Sequence, residues 1–345
     1  MPVRSIVILA EGKFAPLTSK TANQAIRYIP NEIVGVIDSR SAGKTAQKIL
    51  GFDGDIPVFN NLQSSLFKNP NTLLIGVAPT GGKLPEQWRE VIIEAIQNKL
   101  NIISGLHTLL SEDEELSTLA KSHNIILTDL RKIPKEYEVI SKGSWKTRKA
   151  RTILTVGTDC NVGKMTASLE LHRKCLQRGM QSDFVATGQT GILLSGRGIA
   201  IDSVVSDFVA GAIEMEVDKR VEEGKEIIHI EGQGSLTHQG YSSVTLGLVH
   251  GVMPDAMILV HHPSRKFDDY GLSLENVSRF IQLHEQILSP FKPSKVIGIA
   301  INTVNMSSQQ ILDAKKQLER ETNLPVVDVL TSEISSFINI LKYFL

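Results

Sequence analysis

Short apolar runs rich in β-branched residues recur along the chain, each closed by a turn and followed by a longer amphipathic stretch. In the first block the runs Ser5–Ala10, Ile33–Asp38, Thr72–Val77, Asn101–Ser104 and Ile125–Thr128 are predicted as strands. Pro85–Lys99 and Asp113–Ser122 between them carry helical periodicity, and Ser111 precedes Glu114 at capping-box spacing. The second block repeats the pattern, with strands predicted at Thr152–Val156, Asp183–Ala186, Glu226–Ile230, Ala256–Val260, Val296–Ile301 and Pro325–Val329. Lys164–Arg178 reads as a helix with Met165, Leu169 and Leu176 on one side, stopped at Gly179, and Ser273–Leu288 as another ending before Pro290. Strand–turn–helix alternation throughout is the α/β signature, with mostly parallel sheets.

The basic, glycine-interrupted segment Ser141–Lys149 separates the blocks. It divides the 345 residues into a domain at 1–140, a linker at 141–150 and a second domain at 151–345. Basic and acidic residues both number 37, so the chain has no overall electrostatic footprint for nucleic acid or an anionic membrane. No apolar run approaches the ~20 residues a membrane span needs. Ser5–Ala10 is too short for a signal-peptide core, since Glu11 and Lys13 follow at once. The only cysteines, Cys160 and Cys175, are too few for a disulfide framework and fit a reducing cytoplasm.

The densest chemistry lies after the strand Thr152–Val156. Gly157-Thr-Asp-Cys-Asn-Val-Gly163-Lys164 runs into a helix, a variant of the phosphate-binding loop with five residues between its glycines instead of four. Gly157 and Gly163 let the backbone amides approach phosphate oxygens, with Thr158, Asp159 and Asn161 between them. Lys164 supplies a point charge. In Mg²⁺-dependent phosphoryl transfer the residue after the lysine offers a hydroxyl to the metal, and here it is Met165, a poor partner for a hard cation. The hydroxyl of Thr166 sits about 100° further round the helix. The loop therefore reads as a phosphate cradle without the metal-assisted cleavage machinery, and no metal site is expected. Cys160 is either a small residue filling the turn or a thiol activated by helix-end amides.

Other candidates stand at strand ends. Glu231, in Glu231-Gly-Gln-Gly-Ser235, occupies the Walker-B position and is a candidate acid/base group. Thr187-Gly-Gln-Thr-Gly191 brings Gln189 to the ligand side, and Asp202 and Asp207 follow as candidates for a substrate ammonium. Five apart, those two do not share a helix face as a metal pair would. Adjacent His261 and His262 point to opposite faces and read as structural. Asn302 ends a strand where a carboxamide meets a purine edge. In the first block Asp38 ends the second strand as a ribose-binding acid does, but the first turn lacks G-x-G-x-x-G, so a Rossmann-like shape is expected without NAD. Gly76–Gly82 ends the third strand. His107, in Ser104-Gly-Leu-His, is a candidate base near neutral pH. Arg131 is either a partner for Asp129 or a clamp for a substrate carboxylate.

Gly157–Lys164, Glu231-Gly-Gln-Gly and Asn302 together resemble the dethiobiotin synthetase type of enzyme. That resemblance implies ATP phosphates on the loop and the base on the asparagine, but the family has threonine where this chain has Met165. Over nearly its whole length the chain is more similar to a two-domain family long of unknown function, typified by D-glutamate N-acetyltransferase. Ser104-Gly-Leu-His107, Asp129-Leu-Arg131, Val162-Gly-Lys-Met-Thr166, Thr187-Gly-Gln-Thr-Gly191, Asp207-Phe208 with Gly211 and Glu214, and Glu231-Gly-Gln-Gly-Ser-Leu236 carry that similarity. It implies a Rossmann-like domain joined to a P-loop domain, and acetyl transfer from acetyl-CoA to an amino-acid amine. CoA carries a pyrophosphate and a 3′-phosphate, which a phosphate loop holds without hydrolysing anything. The alternatives are an ATP- and Mg²⁺-dependent kinase or ligase, and a non-catalytic nucleotide-binding module. The expected partners are a small-molecule substrate and further copies of the chain, with neither nucleic acid nor membrane.

Overall fold

The computed structural model describes residues 4–52, 54–79, 82–331, 334, 335 and 337–339. The chain divides into two compact units, one of residues 1–132 with 192–196, the other of residues 133–191 with 197–345.

The first unit runs β1 (Ile6–Leu9), α1 (Lys20–Tyr28), β2 (Ile33–Ile37), α2 (Ala46–Leu50), β3 (Val58–Phe59), β4 (Thr72–Ile75), α3 (Glu86–Gln97), β5 (Asn101–Ser104), α4 (Glu114–Ser122) and β6 (Leu127–Asp129). The sheet order is β3-β2-β1-β4-β5-β6 and every pairing is parallel, as in a Rossmann fold. β1 and β4 are buried along their whole length, which is why they read as unbroken apolar runs.

Two expectations for this unit need correcting. The last strand begins at Leu127 because the amide of Ile125 still closes α4 on the carbonyl of Ala120 (2.8 Å) and Ile126 points outward, 65% exposed. The cap of α4 is Asp113, whose side chain accepts from the amide of Leu116 (3.0 Å). Ser111 instead lies in a 3-10 turn at Leu110–Glu112, its amide bonded to Asp129 Oδ2 (2.9 Å). Asp38 accepts from the amide of Gly12 (2.7 Å), tying the first turn to the end of β2. Thr80 and Gly81 of the 76–82 loop lie outside the described residues.

The second unit runs β7 (Arg151–Gly157), α5 (Lys164–Gln177), β8 (Ser182–Val185), the start of α6 (Gln189–Ser195), whose residues from 192 on belong to the first unit, α7 (Val209–Glu222), β9 (Ile227–Ile230), α8 (Ser242–Val252), β10 (Ala256–His261), α9 (Val277–Leu288), β11 (Lys295–Ile301), α10 (Ser308–Thr322) and β12 (Val326–Val327). Its parallel sheet has the order β12-β11-β10-β7-β9-β8. The first strand lies at the centre, with β9 on one side and β10 on the other, and the chain reverses direction across the sheet there. Ligands of open α/β sheets bind at such a switch point, beyond the carboxyl ends of the strands.

The stretch 141–150, expected to link the domains, belongs to this unit. Buried Glu214 on α7 accepts from the amides of Lys142 and Ser144, and Arg148 bonds Asp218 and the carbonyl of Val252. Polar, glycine-containing sequence marks a loop, but not whether it hangs free. Helix α9 starts at Val277, later than expected, because Asn276 caps it by accepting from the amide of Arg279 (2.8 Å). On α5, Met165 and Leu169 are buried as expected, but Leu176 is 49% exposed.

Candidate phosphate-binding site

β7 ends at Gly157, and the chain turns through Thr158–Gly163 into α5. Asn161 (φ +55°) and Gly163 (φ +112°) supply the left-handed conformations of the turn. A Cβ on Gly163 would meet the Asn302 side-chain nitrogen and Val260 Cγ1 at 3.8 Å, ordinary contact, so the start of α5 is not crowded there. Elsewhere the walls are close: a Cβ on Gly157 would lie 3.0 Å from Lys164 Nζ, and one on Gly232 only 1.7 Å from the carbonyl of Thr155. The Lys164 ammonium is buried within the loop and donates to the carbonyl of Asp159 (2.7 Å). Thr158 is anchored to β10, by its amide to the carbonyl of Val260 (3.1 Å) and by its hydroxyl to His261 Nδ1 (3.0 Å). His261 thus steadies the loop, and burial pushes its pKa down to about 4, so the ring is neutral there. Amides at the start of a 14-residue helix, beside an inward ammonium, have the chemistry that suits an anion.

Asn302 lies at the Gly163 end. Its amide bonds the carbonyl of His261 and its Oδ1 accepts from the amide of Val304 (3.1 Å). Met165 is buried, 2% exposed, while Thr166 is half-buried on the next position. Glu231 is buried at the end of β9, and its carboxylate accepts from the amides of Thr187 (3.1 Å) and Gly188 (3.3 Å) and from the Gln233 side chain (3.1 Å). It fastens the start of α6, where Gln189 is half-buried. Gly188 and Gly191 are required there, since a Cβ at Gly191 would fall 2.3 Å from Glu231 Oε2.

The other end of the loop holds a group that sequence inspection missed. Asp159 is buried; its Oδ1 accepts from the amide of Cys160 (2.6 Å), and Arg265 Nε lies 2.6 Å from Oδ2 at an angle unsuited to a hydrogen bond. His238 Nε2 stands 4.0 Å from Oδ1, is 1% exposed with its residue and has no hydrogen-bond partner. Burial pushes the Asp159 carboxyl up from its ordinary value, and the Cys160 thiol to about 11. Helix-end amides therefore do not activate Cys160; desolvation outweighs Lys164. Asp159, Cys160 and His238 bring ligand-type atoms within 4.8 Å of one another. Their chemistry does not suit a cation: a guanidinium already faces the carboxylate, and the amide of Gly240 donates to His238 Nδ1 (3.2 Å), which puts the ring proton on Nε2. Tyr241 and Tyr270 flank the His238 ring, with centroids at 4.9 and 5.3 Å. Distance along the chain hid this group: Arg265 and His238 belong to no motif, and only their place after strand ends signals them.

Asp202 lies in a 3-10 turn at Ile201–Ser203 and Asp207, exposed, in another at Ser206–Phe208. Within the first unit His107 is exposed, with its ring against Gly82, where a Cβ would meet it at 2.3 Å. Arg131 is buried and donates to the carbonyl of Gly105, and Asp129 accepts from the amides of Leu110 and Ser111 (both 2.9 Å). No helix among the described residues is long and apolar enough to cross a membrane.

Comparison with known proteins covers both units. Residues 39–133 match the Rossmann-like domain, and residues 139–338 the P-loop domain, of the DUF1611 domains of unknown function. A D-glutamate N-acetyltransferase from Tritonibacter scottomollicae is 38% identical over 272 residues, spanning 77% of this chain and 80% of that protein. One from a Pseudoalteromonas species is 38% identical over 270 residues, with the same coverage of 77% and 80%. The crystal structure of a DUF1611 family protein from Anabaena variabilis superposes with a TM-score of 0.93 at 34% identity, covering 98% of this chain and 99% of that one.

Proposed function

The chain belongs to the DUF1611 family, and we propose that it is an N-acetyltransferase that moves an acetyl group from acetyl-CoA to the amine of an acidic amino acid, D-glutamate first among candidates. The observation that carries this reading is the 38% identity, over 77% of the chain, to relatives named for that reaction. The loop chemistry agrees with it. Lys164 and the amides of Gly157, Thr158, Asp159, Asn161, Gly163, Met165 and Thr166 suit the phosphates of a polyanion, and Asn302 suits the edge of its adenine. The buried thioether of Met165 offers no hydroxyl for Mg²⁺. Bound acetyl-CoA supplies an acyl group already activated as a thioester, so no phosphate bond need break.

The chain's own task is to hold the amino acid and remove a proton from its ammonium, since only the neutral amine attacks. His107, exposed, is assigned as the base. Glu231 is the weaker choice, because its carboxylate already accepts three N–H bonds. Gln189, Asp202 and Asp207 are assigned to the substrate. Arg131, turned onto the Gly105 carbonyl, is assigned a supporting role.

An acetyl-CoA assay over a panel of D- and L-amino acids tests the reading, with acidic amino acids expected to turn over. Absence of CoA binding by calorimetry would overturn it. Lys164→Ala is expected to abolish CoA binding while leaving the melting temperature near that of the parent, and unchanged affinity would remove the loop from the cofactor site.

A further inference from the structure

Exposed aromatic residues stand on the Asp159 side of the phosphate loop, where Tyr241 and Tyr270 flank the His238 ring and Phe267 follows Arg265 on the same segment. Tyr241 is 51% exposed, Phe267 56% and Tyr270 60%. Phe267 and Tyr270 stand on a small hairpin closed by the Phe267–Ser273 bridge, and Arg265 at its base joins it to the loop through Asp159 Oδ2 (2.6 Å) and the carbonyl of Cys160 (3.4 Å). Behind the rings lies His238, with its buried and unpartnered Nε2–H directed at the same end of the loop. A buried donor without an acceptor is costly, and a ligand acceptor would relieve it.

We propose that Tyr241, Phe267 and Tyr270, with the His238 Nε2–H behind them, seat the pantetheine arm of CoA, and so distinguish CoA from nucleotides that share its phosphates. The proposal rests on the acetyl-CoA reading above. With the adenine assigned to Asn302 beside Gly163, the arm is assigned to the Asp159 side of the loop, which Arg265 and His238 reach. The arm alternates methylene segments with amides. Aromatic rings cover the first and an N–H donor meets a carbonyl of the second. The occupant is set by continuity with the phosphate loop: the patch begins where the loop ends, and Arg265 holds the two together.

Calorimetric affinities for CoA and for adenosine 3′,5′-bisphosphate, which lacks the arm, test this. The parent protein is expected to bind CoA more tightly than the bisphosphate. Tyr270→Ala, at an exposed position, is expected to weaken CoA by about tenfold, the order of one lost ring contact, and to leave the bisphosphate within about twofold. His238→Phe keeps a ring between the tyrosines, removes the N–H and is expected to weaken CoA alone, by about fivefold. Equal loss of both ligands in Tyr270→Ala, or no loss of either, overturns the proposal, and that variant decides alone if His238→Phe fails to fold. A parent that binds CoA no better than the bisphosphate also overturns it. A parent that binds no CoA defeats the acetyl-CoA reading itself.

Discussion

Single side chains around the loop behave according to their burial more than their position in a motif. Cys160 sits where helix-end amides favour a thiolate, yet desolvation pushes its pKa to about 11. Iodoacetamide is therefore expected to label it far more slowly at pH 7.5 than a free thiol, with labelling rising only as the pH approaches 11; fast labelling at pH 7.5 would contradict this. Gly163 has φ +112°, and an added Cβ would sit in ordinary contact with Asn302 and Val260 at 3.8 Å, so Gly163→Ala meets backbone strain without a packing clash. It is expected to cost about 1–2 kcal/mol in denaturant titration and to weaken CoA binding by narrowing the cradle. Thr166→Ala separates the rival chemistries: a CoA site should be little affected, whereas a site relying on this hydroxyl for Mg²⁺ would lose ATP binding. The glycines, Lys164 and Met165 were legible because they are neighbours in sequence. His238 and Arg265 were not, since only folding brings positions 238 and 265 to position 159. The Walker-B position of Glu231 was legible too, but not the three N–H groups on its carboxylate.

Elements were legible where an apolar run is wholly buried, as for β1 and β4, and less so where side-chain caps decide a boundary. Asp113 and Asn276 set the starts of α4 and α9, and in each case a polar residue competing for backbone amides outweighed the periodicity around it. The stretch 141–149 shows the same limit, because composition cannot reveal that Glu214 holds it. Burial alone raises the carboxyl of Glu214, but the amides of Lys142 and Ser144 outweigh burial and hold it below its ordinary value. Its stabilisation is thus present at neutral pH and lost as pH falls through the carboxylate range. Glu214→Ala is expected to destabilise the protein by about 1–3 kcal/mol, two part-buried amides losing a charged acceptor. A denaturant midpoint unchanged by this substitution would show that the segment is held by other contacts.

At the scale of the molecule, acid sensitivity is built into the cores. His229 and His284 are fully buried, and desolvation lowers their pKa values to about 3 and about 4. Unfolded, each ring takes up a proton near pH 6.5; folded, each refuses it until much lower pH. Their stabilisation is complete above 6.5 and declines as pH falls towards 4, by about 1.4 kcal/mol per pH unit for each ring. The melting temperature is expected to drop between pH 7 and pH 5, and His284→Leu to flatten that slope by one ring's share. An equal slope in the variant would exclude His284 as a source.

The strand order has a consequence for synthesis. β1 can pair with β2 after about 24 residues, but β7 must wait for β9, about 70 residues later, and for β10 later still. At translation rates of about 5–20 residues per second, a strand buried at every position but its first leaves the ribosome several seconds before either of its neighbours exists. The central strand of the second unit is thus the one that emerges first and is covered late, which makes it the natural client of a nascent-chain chaperone.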